Sequence, residues 1–378
     1  MLDEILSALE SEGHVMLATI ISTSGSTPAS AFSKMLVKGG GKIWVGTVGG
    51  GCLEGDVLEA AKRLYGQNKV EVLTFHLNEN DMVQGLICGG SLEVLIEPIT
   101  RDHDSLVKGM KMLRDGGEDC LVATLINASG NIMAKHLLSV SHGIDGLTDQ
   151  WKPILPLSNY PMIQLSVREL AEEARKAHRR NETRRLKVPE GELILEPMTG
   201  QPQLIIFGGG HVSKSISRAA SMAGFRVTVV DDRKEYANPD RFPEAAQALV
   251  IEFYNAFDRL TIKPSTYIVV VTRGHRSDEE ILERALKTPA KYIGMIGSQR
   301  KVLTTYKHLV ERGIPVDSLT RVHAPMGIEI GAVTAEEIGI SVVAQLIQVR
   351  RGESLPLRHK SEVMKGLMEP LRTKGSHG

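Results

Sequence analysis

The chain has 378 residues, 42% hydrophobic and 24% charged, which is enough apolar content to bury a core and sets disorder aside. Lys and Arg number 45, Asp and Glu number 45, the formal net charge is zero, and aromatic residues make up only 4%. Such a chain lacks the clustered positive field of a nucleic-acid binder and the stacking surface that bases need. The start, Met1-Leu2-Asp3-Glu4, has neither the basic nor the apolar segment of a secretory signal. No apolar run approaches the ~18 residues that cross a bilayer. The cysteines, Cys52, Cys88 and Cys120, are too few for a disulfide framework in so long a chain. The expectation is a cytoplasmic protein without membrane contact, with two or three domains at ~150 residues each.

In chain order, an amphipathic helix from Leu2 to Leu9 and a glycine turn lead into the apolar strand Val15-Met16-Leu17-Ala18-Thr19-Ile20-Ile21. The same succession recurs: a helix from Leu106 to Leu113, a glycine turn, then Cys120-Leu121-Val122-Ala123-Thr124-Leu125-Ile126, offset by 105 (120 minus 15). A closing strand ends in Glu97-Pro98 in the first case and in Glu196-Pro197 in the second, offset by 99 (196 minus 97). The order of elements reads as an internal duplication, residues 1–100 and 105–199, inside an N-terminal α+β domain of residues 1–199.

The first copy carries features the second lacks. Gly46 to Asp56 runs from a strand into a helix expected around Val57–Leu64, through Gly49-Gly50-Gly51-Cys52. Consecutive glycines reach backbone conformations closed to other residues and bare their N–H groups. A cysteine at a helix start has its thiolate stabilised and becomes reactive. Cys88-Gly89-Gly90 follows 36 positions later (88 minus 52). Two thiols on glycine turns of one domain suit a soft metal centre, a persulfide or a redox pair; tight turns with small buried cysteines account for either one alone, but the presence of both in the copy that differs favours chemistry. Zinc is disfavoured, because no C-x-x-C is present. The loop Ser22-Thr23-Ser24-Gly25-Ser26-Thr27-Pro28 with Lys34 offers hydroxyls and a cation, either for an anion or as a plain polar connection.

Residues 168–187 read as one helix rich in Arg, Lys and His with a solvated face, and Thr199-Gly200-Gln201-Pro202 as a linker. From Gln203 to residue 350 strands and helices alternate, the pattern of a Rossmann-like doubly wound parallel sheet, followed by a tail at 351–378. Gly208-Gly209-Gly210-His211-Val212-Ser213 ends the strand Gln203–Phe207 and opens a helix. Gly208 and Gly210, with a small Ser213 third, fit the dinucleotide fingerprint: a tight turn, close backbone approach to a pyrophosphate, and helix–strand packing. Asp231 and Asp232 follow at the distance where an acid meets ribose hydroxyls. His211, His275 and His323 have no metal-ligand spacing. The loops 272–278 and 294–298 fall at the ligand-binding end of the sheet, and Ser298 has a sufficient role as a helix cap.

Together Thr23-Ser24-Gly25-Ser26-Thr27-Pro28, Lys34-Met35, Gly49-Gly50-Gly51-Cys52-Leu53-Glu54, Cys88-Gly89-Gly90 and Phe207-Gly208-Gly209-Gly210-His211-Val212 resemble the XdhC/CoxI family. Val230-Asp231-Asp232-Arg233, Tyr292 to Ser298 and Gly327 to Ala332 resemble its C-terminal half; residues 116–200 resemble it least, and Ala29–Ser33 depart from its pattern. The resemblance implies an accessory protein that binds molybdenum cofactor (molybdopterin), assists its sulfuration and delivers it to an apo molybdenum hydroxylase of the xanthine dehydrogenase type, with a sulfurtransferase as second partner. It implies that Cys52 and Cys88 contact the metal or its sulfur, that Gly49, Gly50 and Gly51 hold polar oxygens, that Gly89 and Gly90 belong to the same cofactor-binding set, and that Glu54 orients the turn. Gly208, Gly209, Gly210, His211, Ser213, Asp231 and Asp232 would hold a pterin nucleotide or NAD(P). Xanthine dehydrogenase activity by the chain alone is disfavoured, because an iron–sulfur cysteine set is missing. The alternatives are an NAD(P)-dependent oxidoreductase and a ligand-free scaffold. A homodimer is the expected assembly.

Overall fold

A strand that is apolar at all positions but one, as Val15–Ile21 is with Thr19, must be covered on both faces, and it is buried throughout. The computed structural model describes residues 1–76, 90–139 and 167–352, in two units, Met1–Gly200 and Gln201–Gly378. The first unit contains α1 (Leu2–Glu12), β1 (His14–Ser24), β2 (Lys34–Lys38), β3 (Ile43–Gly46), α2 (Gly51–Leu64), β4 (Glu71–His76) and β5 (Ser91–Thr100). It continues with α3 (Asp104–Asp115), β6 (Cys120–Ile126), β7 (Ile132–Ser139), α4 (Val167–Arg180), β8 (Arg184–Val188) and β9 (Gly191–Met198).

Two antiparallel sheets result, one ordered β3-β2-β1-β5-β4 and the other β7-β6-β9-β8. The runs β2-β1-β5-β4 and β7-β6-β9-β8 share order and sense. Alternation assigns the faces. Val15 and Leu17 of β1 join Cys120 and Val122 of β6 in one core with Leu2, Ile5 and Leu9 of α1 and Leu106, Met110 and Leu113 of α3. On the other faces, Met16, Ala18 and Ile20 pack on Leu53, Val57 and Leu64 of α2, and Leu121, Ala123 and Leu125 on Ala174 and Ala177 of α4.

Two ion pairs tie the sheets reciprocally. Lys34 Nζ reaches Glu196 at 2.5 Å and donates to Thr19 Oγ1 at 2.9 Å; Lys135 Nζ reaches Glu97 at 2.6 Å and donates to Thr124 Oγ1 at 2.8 Å. The expected long charged helix at 168–187 is two elements. It stops at Arg180, Asn181 takes φ +50°, and Arg184–Val188 pair with β9, because the closing strand offers a free edge.

The second unit contains β10 (Gln203–Phe207), α5 (His211–Met222), β11 (Arg226–Asp231), β12 (Gln247–Val250), α6 (Phe253–Arg259) and β13 (Tyr267–Val270). Then come α7 (His275–Leu286), β14 (Tyr292–Met295), α8 (Gln299–Glu311), α9 (Val316–Leu319), β15 (Val322–His323) and α10 (Ala335–Arg351). Its six strands are all parallel, ordered β12-β11-β10-β13-β14-β15, with an apolar core on each face. This is the doubly wound α/β sheet, with its switch point between β10 and β13. The edge strands β12 and β15 escape sequence reading: they are four and two residues long, too short for a period. Ser298 caps α8 by accepting the Lys301 N–H. Among the described residues no helix is long and apolar enough to cross a membrane.

Candidate functional site

At the switch point β10 runs into Gly208, which takes φ +104° while its N–H donates to the Val230 carbonyl at 2.7 Å. A Cβ on Gly208 would stand 2.5 Å from the Val271 carbonyl oxygen, and one on Gly209 would stand 2.2 Å from that of Tyr236. Both glycines are therefore demanded by the protein's own backbone. Gly210 is different. It has ordinary extended dihedrals (φ −71°, ψ −169°), and a Cβ there would meet nothing within 4 Å. It lines a cleft of about 390 Å³ with Gly208, Gly209, Asp231, Asp232, Arg233 and Arg273.

Gly210 is also the N-cap of α5, whose first turn has no side-chain cap, so its leading N–H groups remain available among the described residues. Ser213 is fully buried against the sheet, as the third fingerprint position requires, whereas His211 is exposed.

The two acids divide. Asp231 is completely buried, and both carboxylate oxygens are engaged inside the protein. Oδ2 accepts from the Gly209 N–H (2.7 Å) and Arg233 Nη2 (2.9 Å), and Oδ1 accepts from the Arg233 N–H (3.1 Å) and Nε (2.8 Å). The expected ribose-binding acid is thus a brace for the glycine turn, and Asp232, 40% exposed at the side chain, is the carboxylate presented to the cleft.

Burial acts to raise the Asp231 pKa, but the hydrogen bonds from Arg233 and the Gly209 N–H outweigh it and hold the group below its ordinary 3.8. The stabilisation is then complete above the unfolded-chain value near 3.8 and is lost as pH falls through the lowered folded value. Urea unfolding of Asp231→Asn is expected to show a lower midpoint than the parent at neutral pH and a smaller loss on going to about pH 3. Equal losses in both proteins would reject this role.

Sequence reading overlooked the arginines. Three guanidiniums gather around the Tyr236 ring: Arg233 at 3.6 Å from its centroid, Arg241 at 5.3 Å and Arg273 at 5.9 Å. Arg241 Nε donates to the Gly209 carbonyl at 2.8 Å. The signals in sequence were Asp232-Arg233 after β11 and the loop 272–278 that holds Arg273; Arg241 comes from a loop with no pattern of its own.

In the first unit, α2 begins at Gly51, six residues earlier than expected, so position 52 lies in its first turn. Glu54 Oε1 accepts from the Thr47 hydroxyl (2.5 Å) and the Gly50 N–H (3.2 Å), while the Gly49 N–H donates to Thr47 Oγ1 (3.1 Å). Of the three glycine N–H groups, those of Gly49 and Gly50 are taken within the turn, and that of Gly51 has no partner among the described residues. A Cβ on Gly90 would lie 2.3 Å from the Ser26 carbonyl oxygen, and one on Gly49 would lie 3.0 Å from Pro28 Cγ. The Ser24–Pro28 loop is therefore the shared neighbour of both glycine segments. Lys34, the cation expected beside that loop, is committed to Glu196 instead. Cys88 and Gly89 lie outside the described residues. Cys120 is buried in β6, where burial and then the charges of Asp119 and Glu196 push its thiol up to about 12, so it is inert. Among the described residues no three His, Cys, Asp or Glu side chains converge as metal ligands.

Comparison with known proteins gives matches in both units. Residues 204–346 match the XdhC Rossmann domain, and residues 8–76 match the XdhC and CoxI family. A Bacillus subtilis protein described as a probable xanthine dehydrogenase subunit is 27% identical over 93% of this chain and 97% of its own length. The uncharacterized protein YqeB of Escherichia coli is 33% identical over 44% of this chain, and the chain spans about a third (32%) of that relative. A crystal structure described as a xanthine dehydrogenase from Bacillus halodurans superposes with a TM-score of 0.71 at 25% identity, covering 95% of this chain and 99% of the other.

Proposed function

The chain belongs to the XdhC and CoxI family, and from that premise we propose that it is an accessory protein that binds molybdenum cofactor and assists its sulfuration and its insertion into a molybdenum hydroxylase of the xanthine dehydrogenase type. The observation that carries the reading is Gly210, a glycine with no steric need inside the fold, placed at the open first turn of α5 in a cleft of about 390 Å³. Empty space at Cβ beside unpaired N–H groups suits a ligand phosphate that approaches the backbone closely. When bound, the cofactor supplies a phosphate-bearing pterin and a thiophilic metal.

The chain's residues divide the task. N–H groups of Gly210 and the α5 turn would hold phosphate, with Asp231 and Arg233 fixing the turn beforehand. Within the first unit by itself, Gly51 would offer an N–H to an oxygen of the cofactor, and Glu54 keeps the Gly49–Gly51 segment in one conformation. A thiol at position 52 would sit in the favourable field of α2, and Cys88 would supply the second sulfur. The apo hydroxylase and a sulfurtransferase would be the partners, with the chain acting as a cytoplasmic homodimer.

The test is retention of molybdenum cofactor by the purified full chain through gel filtration, read as molybdenum content and pterin fluorescence. Parent protein is expected to retain it, and Cys52→Ala to retain it about tenfold more weakly with unchanged thermal unfolding. Equal retention by Cys52→Ala would remove the thiol from the site; no retention by the parent would overturn the proposal. An NAD(P)-dependent oxidoreductase is the second reading, because the strand order and glycine turn are those of dinucleotide enzymes. Turnover of a nicotinamide nucleotide by the chain alone would favour it.

A further inference from the structure

Resting on the second of those readings, the Gly210 cleft as a dinucleotide site, we infer that its nucleotide carries a phosphate on the ribose as well as the bridging pyrophosphate, the chemistry of a 2′-phosphorylated dinucleotide such as NADP, and that Arg273 selects it. A cleft built for an unphosphorylated ribose presents a carboxylate with free lone pairs to the 2′- and 3′-hydroxyls. Asp231 stands at that position but faces inward, and all its contacts are to Gly209 and Arg233. The other acid, Asp232, lines the cleft but lies 3.5 Å from Arg233 Nε, so the end of β11 offers a carboxylate already neighboured by the Arg233 guanidinium, which Asp231 holds on its edge and the Tyr236 ring faces at 3.6 Å.

From the loop after β13, Arg273 completes the arrangement. It lines the same cleft, is exposed, and makes no ion pair with a described carboxylate. Arg241 adds a third guanidinium near the same ring, with Nη2 buried and unpartnered. Arg233 pairs with both Asp231 (2.8 Å) and Asp232 (3.5 Å), Arg241 is held by the Gly209 carbonyl outside the cleft lining, and Arg273 is the exposed guanidinium on the cleft wall. A phosphomonoester is dianionic and has three acceptor oxygens, so it matches a prepositioned fork together with a free one. A ribose diol is neutral and does not.

Calorimetry on the full chain with NADP⁺, NAD⁺, 2′,5′-ADP, 5′-AMP and CDP tests this. NADP⁺ is expected to bind at least about tenfold more tightly than NAD⁺, and 2′,5′-ADP more tightly than 5′-AMP by a similar factor. In Arg273→Gln that preference should fall to about threefold or less; Arg273→Lys should retain part of it. Equal binding of NAD⁺ and NADP⁺, or an unchanged preference in Arg273→Gln, would overturn the inference and leave the nucleotide cleft standing. So would binding of CDP without NADP⁺, which would assign the cleft to the cytidine form of a pterin nucleotide. No binding of any nucleotide would overturn both readings.

Discussion

Lys135→Met is expected to lower the unfolding free energy by about 3–5 kcal/mol, measured by urea denaturation at neutral pH. The lysine side chain is 5% exposed and its partner Glu97 only 2%, so removing the cation leaves an uncompensated carboxylate between the two sheets. Glu97→Leu should cost a similar amount for the mirror reason. The double variant Lys135→Met with Glu97→Leu should recover most of the loss, because two apolar side chains of similar volume need no desolvation. The resulting coupling energy measures the pair itself. Lys34 and Glu196, 19% and 9% exposed at the side chain, should show the same pattern with a smaller amplitude. Single-variant losses below about 1 kcal/mol would mean that water already reaches the pair.

Gly210→Ala and Gly208→Ala should part company, although both remove a glycine from the same turn. At Gly210 the dihedrals suit alanine and the added methyl meets no protein atom within 4 Å, so stability should change by no more than about 0.5 kcal/mol. The methyl would occupy the space a phosphate needs, and nucleotide affinity should fall by about tenfold or more, or ~1.4 kcal/mol. At Gly208, φ of +104° and a carbonyl oxygen 2.5 Å from the new carbon impose strain and a backbone shift. That variant should lose on the order of 3 kcal/mol or more of stability. Thermal unfolding alongside calorimetry separates the two effects. A destabilised Gly210→Ala with normal affinity would reject the phosphate cradle.

The sequence carried the local features well. The glycine turn, its flanking strand and helix, and the small Ser213 were readable because each is set by neighbours within a few residues. The Glu-Pro pairs and the Thr19 and Thr124 strands were visible as a repeat in sequence, but their chemistry was not. It lies in contacts such as Lys34 to Glu196, 162 residues apart, which no periodicity encodes. The start of α2 at Gly51 was also missed, because a glycine triplet signals a turn and its helical continuation depends on Glu54 folding back to it.

Sequence alone thus determined the α/β class, the parallel sheet and the place of the glycine turn, since side-chain period and glycine conformation are local properties. Only the tertiary structure decided which groups in that turn remain free. Asp231 reads as a ligand acid in one dimension. In three it is consumed by Gly209 and Arg233, because a buried carboxylate must satisfy its hydrogen bonds inside the protein before any ligand arrives.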